Sequence, residues 1–588
     1  MQNILTTYSE NILTHSVLLK SLKKKLFLSS MIRLSVFLIT FLMAYLFFGN
    51  TPVVIVSILL GISVFLFLIS KHTDLVREKK YLEAIIEVNQ HEIDGLNGDL
   101  SAFNNGEFYK NPLHHFSHDI DLFGKNSFFH HINRTNRNES QTLLASYLSS
   151  NSIDDIVNKQ LSIKELALLV DWRQNYTVST KLIETEVSSK AIFSWLNNYK
   201  SFISKPMYYL GLAFPFVTII VFGLYFTNMI PATFLLYALL AGIGITSRFL
   251  KKINKLSNNV SEFKGVMSQY SSLLVEIENQ TFKSDLLREN QNKIKSESIK
   301  ASVILKELSK YIDALDQRNN MLFGVVGNGY LLWDIKQVYK IEKWITEYKS
   351  KVENWFGVIE FFDAFNSLGN FAYNHPDFNY PTLSEDTVIK AEQLGHFMID
   401  KKVRISNDVL VDENNFIIIT GANMAGKSTF LRTIALNIVS ANIGLPICAK
   451  SFIYSPVKLI SSMRTSDSLL DDESYFFSEL KRLKFIVDEI KTDRYFIILD
   501  EILKGTNSKD KEEGSKKFVQ KLVASKSTGI IATHDLGLCT IEEQLPQVKN
   551  KYFDAEIIND ELFFDYKYKE GVCQNMNASF LLKKMEIV

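Results

Sequence analysis

Residues 34–48, 53–69, 207–226 and 231–245 carry apolar side chains on every helical face. A helix that rests on a soluble core keeps a polar stripe, and these four segments have none. Each approaches the 17 or so residues needed to cross a bilayer. The first two are joined only by Gly49-Asn50-Thr51-Pro52 and the last two by a turn around Thr227-Asn228. The pattern predicts two transmembrane helical hairpins, the first reaching back to Leu26 if Arg33 snorkels. Elsewhere the periodicity is that of ordinary helices. Residues 71–100 are charged and helical. Leu143-Leu144 with Tyr147-Leu148, and Leu161 with Leu166-Ala167-Leu168, fall at helical spacings within 118–200. Residues 253–365 are helical and rich in Lys, Glu, Asn and Ser, a solvated-face pattern. Pro, Asn and Asp clusters in 366–414 predict loops and short strands. Short apolar runs of strand type follow.

Flanking charge orients the hairpins. Lys23-Lys24-Lys25, Lys71, Lys200, Lys205, Arg248, Lys251 and Lys252 border the apolar segments, while the two tight turns carry no Lys or Arg. The positive-inside rule places both turns outside and the rest in the cytoplasm. The first segment lacks a small-residue cleavage site and runs at once into a second span, unlike a signal peptide. We expect a cytoplasmic segment at 1–25, hairpins at 26–70 and 206–248, a helical stalk at 71–117, helical regions at 118–205 and 249–399, and a nucleotide-binding domain at 400–588. A bacterial inner membrane is the expected location.

With 588 residues the chain exceeds one core. A net charge of +1 gives no support for a broad basic nucleic-acid surface and leaves room for a local patch. Three scattered cysteines, Cys448, Cys539 and Cys573, form no C-x-x-C pair and predict neither disulfide framework nor zinc site.

The chemistry lies near the C-terminus. Phe416-Ile417-Ile418-Ile419 runs into Gly421-x-x-x-x-Gly426-Lys427-Ser428 and then a helical pattern. That is a phosphate-binding loop in its strand–loop–helix setting. Gly421 and Gly426 permit the tight turn, Lys427 is placed to reach the β- and γ-phosphates, and the Ser428 hydroxyl to sit on Mg²⁺. Tyr495-Phe496-Ile497-Ile498-Leu499 ends in Asp500-Glu501, a Walker B pattern: Asp500 for Mg²⁺, Glu501 for the attacking water. A third run, Thr528-Gly529-Ile530-Ile531-Ala532-Thr533, ends at His534, where a strand end would aim it at the γ-phosphate. Gly505-Thr506-Asn507 reads equally as a dimer-interface bend or an ordinary turn. The ligands expected are ATP and Mg²⁺.

Together these elements resemble the MutS family of ATPases. Residues 420–429 resemble that family's T-G-P-N-M-x-G-K-S-T, with Ala422 in place of the proline, and Asn423-Met424 is a specific marker. The resemblance puts Gly421, Asn423, Met424, Gly426, Lys427, Ser428 and Thr429 around the nucleotide. Asp500-Glu501-Ile502 with Gly505-Thr506, and Ala532-Thr533-His534, match its D-E-I-x-x-G-T and A-T-H. Met463-Arg464-Thr465-Ser466-Asp467, followed by Asp472-Glu473-Ser474-Tyr475-Phe476-Phe477-Ser478-Glu479, resembles the family segment ending S-T-F-x-x-E, with Tyr475 replacing threonine. It implies that Ser474 reaches the nucleotide of a partner subunit. Upstream, Asp121-Leu122-Phe123-Gly124 with Asn133-Arg134-Thr135, Gln160-Leu161-Ser162-Ile163-Lys164-Glu165-Leu166, and Asn407-Asp408 resemble parts of the helical core and the approach to the ATPase.

The implied fold is an α/β P-loop NTPase (ABC-type ATPase, MutS-like) preceded by an all-α, MutS-core-like region with two transmembrane hairpins. The implied function is a membrane-anchored, homodimeric ATPase, with catalytic roles for Glu501, Lys427 and His534 and a coupling to DNA that the family likeness alone implies. The family's mismatch-reading F-x-E motif finds no match: Phe108-Tyr109-Lys110 lacks the acid. Two other classes fit the order of segments. An ABC-type transporter would want an L-S-G-G-Q signature, which is missing. A membrane scaffold would use ATP only as a dimerisation switch.

Overall fold

The computed structural model describes residues 2–183, 187–295, 299–385, 387–422, 424–464, 475–558 and 561–574. They form two compact units that interleave along the chain. One takes residues 1–9, 90–170 and 364–588, the other residues 10–89 and 171–363. Boundaries drawn in sequence order do not express this, because helices Gln2–Leu46, Thr51–Leu96 and Trp333–Asn374 each run unbroken from one unit into the other.

Among its described residues the second unit holds helices and no strand. Helices Gln2–Leu46 and Thr51–Leu96 extend well beyond their apolar segments, to 45 and 46 residues. Where they pass, a β-carbon on Gly61 would lie 2.2 Å from the Thr40 hydroxyl. Phe27, Phe37, Phe41 and Phe67 point away from the protein. Helix Lys205–Phe226 is of spanning length, whereas Thr233–Ser247 has only 15 residues and bends by 67° into Leu250–Asn279. By length and composition three helices can cross a membrane, or four if the bent pair counts as one.

The rest of this unit packs by helical periodicity. Val266, Tyr270, Leu274 and Ile277 recur every three to four residues and are buried against Ile304, Leu308 and Ile312 of helix Ala301–Asp316. Helix Trp333–Asn374 covers them: Tyr270 and Phe356 rings lie 4.3 Å apart, and Trp344 Nε1 donates to the Ile304 carbonyl at 2.9 Å. Within 253–365, read above as a charged helical stretch, the structure contains the uncharged helix Met321–Leu331.

The first unit carries the sheets. β1 (Thr382–Leu383), β2 (Thr387–Leu394) and β3 (Asn407–Asp412) join β5 (Ser451–Tyr454) in a four-stranded sheet ordered β1-β5-β2-β3. β1 and β2 precede residue 400, so sheet structure starts earlier than the nucleotide-binding pattern does. The main sheet contains β4 (Phe416–Gly421), β6 (Lys458–Ser462), β7 (Tyr495–Asp500), β8 (Thr528–Ala532), β9 (Val548–Phe553) and β12 (Tyr568–Glu570), ordered β12-β9-β4-β8-β7-β6. A separate hairpin pairs β10 (Glu556–Ile558) with β11 (Glu561–Phe563). Parallel pairing along β9-β4-β8-β7-β6 needs cover on both faces. Hence β4, β7 and β8 are continuous apolar runs, and Phe416, Ile418, Ile497, Leu499 and Ile531 share one core with Ile486, Val519 and Leu522. Helix Lys427–Asn442 is buried over nearly its whole length.

Candidate functional site

Register gathers the predicted residues at one edge. Ile419 pairs with Ala532, and Ala532 with Asp500, so β4, β8 and β7 end side by side. The carboxyl ends of parallel strands are where such sheets bind ligands. The turn after β4 is the phosphate loop, the residue after β7 is Glu501, and two residues past β8 comes His534.

The loop's backbone explains its glycines. Gly421 has φ +149°, and a β-carbon there would meet the Phe553 carbonyl oxygen at 2.5 Å. Gly426, φ +99°, is the N-cap of helix Lys427–Asn442. Met424 is left-handed at φ 69° with an exposed side chain. The helix N-terminus presents free N–H groups at the loop, an anion-binding arrangement. Thr429 lies in its first turn and is itself exposed. Asn423 and Ser474 lie outside the described residues, as do residues 465–473, so their predicted nucleotide contacts have no structural counterpart here.

Lys427 is buried and folds over its own loop, donating to the carbonyls of Gly421 at 2.8 Å and Ala422 at 3.0 Å. Its ammonium lies 3.3 Å from His534 Nε2. Burial lowers the Lys427 pKa, opposed by the charges of Glu501 and Asp500. Ser428 Oγ donates to Asp500 Oδ2 at 2.5 Å. Burial raises the Asp500 pKa, opposed by this hydrogen bond. Glu501 Oε1 lies 2.8 Å from His534 Nε2. That hydrogen bond, with the charges of His534, Lys504 and Lys427, brings the Glu501 pKa down to about 2 against the opposing effect of burial. Glu501 itself is left-handed, φ 50°, and its N–H donates to the Ala532 carbonyl at 2.9 Å. Six of the predicted residues, Gly421, Lys427, Ser428, Asp500, Glu501 and His534, thus form one constellation. Ser428 and Asp500 supply hard oxygen donors suited to Mg²⁺, which takes few protein ligands and keeps phosphate and water oxygens for the rest.

Three supporting groups had no role in the sequence reading. Glu479, buried, accepts the N–H groups of Leu503 at 2.6 Å and Lys504 at 3.0 Å, fixing the turn after Asp500-Glu501. Asp121 accepts both Arg464 guanidinium nitrogens, at 2.6 and 2.7 Å, and Arg432 Nη1 at 3.1 Å. Arg432 stands on the helix that begins at Lys427. Arg482 donates to the carbonyls of His114, His115 and Ser461. Glu479, Asp121 and Arg464 all lie in the motif segments quoted above, and that was the only signal. In Gly505-Thr506-Asn507, the Asn507 side chain caps helix Ser508–Ala524 by accepting from Asp510 N at 2.9 Å, which gives the segment a local turn role. The three cysteines are buried, as small core residues are. Among the described residues no group of three or more His, Cys, Asp or Glu could hold a metal by itself.

Comparison with known proteins places this edge in context. Residues 417–584 match the model of MutS domain V. Over 222 residues, 36% of this chain, it is 30% identical to human MutS protein homolog 4, of which the match covers 23%. Over 235 residues, 38% of the chain, it is 30% identical to the DNA mismatch repair protein MutS of Thermotoga neapolitana, covering 29% of that protein. The Staphylococcus haemolyticus protein of the same name is 25% identical over 268 residues, 30% of its length. The chain therefore spans less than a third of the curated relatives it matches. Its C-terminal part is a segment of MutS domain V type, P-loop ATPase in character, joined to a helical region, and the likeness to MutS read from the motifs holds for that part.

Proposed function

We propose that this protein is a membrane-anchored, Mg²⁺-dependent ATPase of MutS type that works as a homodimer and couples ATP hydrolysis to DNA. The observation that carries the ATPase reading is the strand edge itself, where the phosphate loop, the Ser428–Asp500 pair and the Glu501–His534 pair meet. Gly421, Gly426 and the helix N-terminus receive phosphate oxygens. Lys427 exchanges its loop carbonyls for the β- and γ-phosphates and stabilises charge that grows during phosphoryl transfer. Glu501 orients the attacking water and takes its proton, and His534, hydrogen-bonded to Glu501, positions that carboxylate. Ser428 and Asp500 hold Mg²⁺, which when bound neutralises phosphate charge. Ser474, from a second subunit, completes the site as the family likeness implies.

DNA as the coupled ligand rests on the names of the relatives. Mismatch reading is not part of the proposal, since residues 26–96 hold an apolar hairpin and its helical continuation, which ends short of the full 71–117 stalk expected from the sequence. The membrane reading rests on three helices of spanning length and composition, with large apolar side chains facing outward, and on the Lys and Arg that flank them. It places the ATPase in the cytoplasm, with a bacterial inner membrane the natural host.

The test is ATP turnover by detergent-purified protein, alone and with homoduplex, mismatched and branched DNA. Lys427→Ala should abolish turnover, and DNA should stimulate the parent protein. Turnover unchanged in Lys427→Ala would overturn the site. Turnover indifferent to every DNA would overturn the coupling and favour an ATP-switched membrane scaffold.

A further inference from the structure

Helix Met321–Leu331 reads Met-Leu-Phe-Gly-Val-Val-Gly-Asn-Gly-Tyr-Leu, with no charge over 11 residues. Its C-terminal half packs on the second apolar hairpin. A β-carbon on Gly242 would lie 2.1 Å from the Gly329 carbonyl oxygen, and one on Gly329 would lie 2.2 Å from Leu239. Backbones approach this closely through small residues, as helices do where lipid offers no hydrophobic drive for association. Thr218 Oγ1 donates to the Tyr330 carbonyl at 3.0 Å, and the Tyr330 hydroxyl to the Leu235 carbonyl at 3.3 Å. Both partners lie within the hairpin's apolar stretches, so Tyr330 is at their depth.

The N-terminal half lies bare. Met321 and Leu322 are 84% and 78% exposed, and Val325 and Val326 about half. Four neighbouring apolar side chains in water would be costly, whereas lipid would receive them as it would the outward-facing Phe216, Ile219 and Leu236 of the hairpin.

Polar groups at the ends of this helix find partners within the protein, except the buried Asp334 Oδ1, which has none. Asn320 accepts from Phe323 N at 3.2 Å. Asn328 donates to the Gly324 carbonyl at 3.0 Å and accepts from Asp334 N at 2.9 Å. Arg318 Nε donates to Asp334 Oδ2 at 2.7 Å, with the Asp334 side chain fully buried. Hydrocarbon supplies no hydrogen-bond partners, so a segment that enters it must close its own accounts this way. Eleven residues rise about 16 Å, roughly half a 30 Å hydrocarbon layer. The flanking helices Ala301–Asp316 and Trp333–Asn374 carry Lys306, Lys310, Lys340 and Lys343, so the chain enters and leaves on one side.

We infer that Met321–Leu331 is a re-entrant membrane element, docked on the second hairpin through Gly242 and Gly329, with lipid acyl chains as the partner of its bare half. This rests on the membrane reading of the hairpins given above.

Spin labels on single introduced cysteines in the full chain, reconstituted in phosphatidylethanolamine–phosphatidylglycerol liposomes, test it. Leu322→Cys and Val325→Cys probe the helix, Ile219→Cys the hairpin, and Val303→Cys, exposed on helix Ala301–Asp316, the aqueous side. The parent protein corrects for Cys448, Cys539 and Cys573, and ATP turnover verifies each variant's fold. At Leu322→Cys and Val325→Cys, relaxation by oxygen should exceed that by a water-soluble nickel chelate several-fold, as at Ile219→Cys, with the ratio reversed at Val303→Cys. If Leu322→Cys and Val325→Cys match Val303→Cys while Ile219→Cys stays lipid-like, the re-entrant element is overturned and the hairpins stand. If Ile219→Cys is also water-accessible, the membrane reading falls and takes this inference with it.

Discussion

Glycine serves two ends in this molecule. In the phosphate loop, Gly421 and Gly426 stand at φ +149° and +99°, and a Gly421 side chain would strike the Phe553 carbonyl. Conformation and space both demand glycine there. Gly242 and Gly329 sit in ordinary helices, where any residue could adopt the backbone, and only the closeness of the neighbouring helix excludes a side chain. Gly421 is set by a strand that cannot move without breaking the sheet, and Gly426 by its own backbone conformation. The second is set by two helices that can part. Substitution at the loop should therefore destroy a function, while substitution in the helix pair should weaken a fit.

The sharpest way to break that contrast is Gly421→Ala. Misplacing the loop by an ångström should cost at least about 100-fold in ATP turnover, and labelled ATP should no longer bind. Full nucleotide binding by this variant would show that the loop tolerates the clash. Next in size, Glu501→Gln should lower turnover by about 100-fold, the usual scale for loss of a general base, yet leave ATP binding intact. That outcome separates the chemistry at the strand edge from the shape of the loop. Gly329→Leu should act on stability instead: overpacking of this kind costs about 1–3 kcal/mol, seen as a lower Tm in detergent, with turnover per folded molecule retained. Loss of turnover at unchanged Tm would contradict the distinction.

The smallest effect is expected from a carboxylate of the helical unit. Burial pushes the Glu276 pKa up to about 7, opposed by the Ser179 hydroxyl, which donates to it at 2.5 Å. An acid whose folded pKa is raised binds protons more tightly folded than unfolded. Stability is therefore greatest below the unfolded value near 4.5, declines as pH rises toward 7, and stays lower above it. Glu276→Gln removes that penalty, so its Tm should exceed the parent's at pH 8, reflecting a stability gain on the order of 1 kcal/mol or more, and the two should converge at pH 4. Equal Tm differences at both pH values would rule out ionisation as the cause.

The strand edge was readable in the sequence because its determinants are local: apolar runs of strand length, each followed within a few residues by its chemical group. β4, β7 and β8 carry Lys427, Asp500-Glu501 and His534 in that form. What supports them was not readable. Glu479 holds the turn 24 residues on, and Asp121 meets Arg464 across 343 positions; such pairings follow from the fold and leave no periodicity. The helical half shows the converse. Long apolar stretches declare themselves by hydropathy, but Met321–Leu331 is too short to reach spanning length and sits in a region dominated by Lys, Glu and Asn. The division into units escaped for a similar reason: three helices cross it, so no linker or change in composition marks it.

Ionic strength should separate two kinds of support around the site. The Asp121 carboxylate and its Arg464 partner are partly open to solvent, 42% and 37% exposed, and mobile salt weakens attractions of that kind. Glu479 works from 3% exposure through backbone N–H groups, out of reach of dissolved ions. Raising salt thus loosens the tie between the 114–121 loop and the helix bearing Arg432 while the turn behind Glu501 keeps its form, so buffer composition becomes a handle on one part of this unit independent of the other.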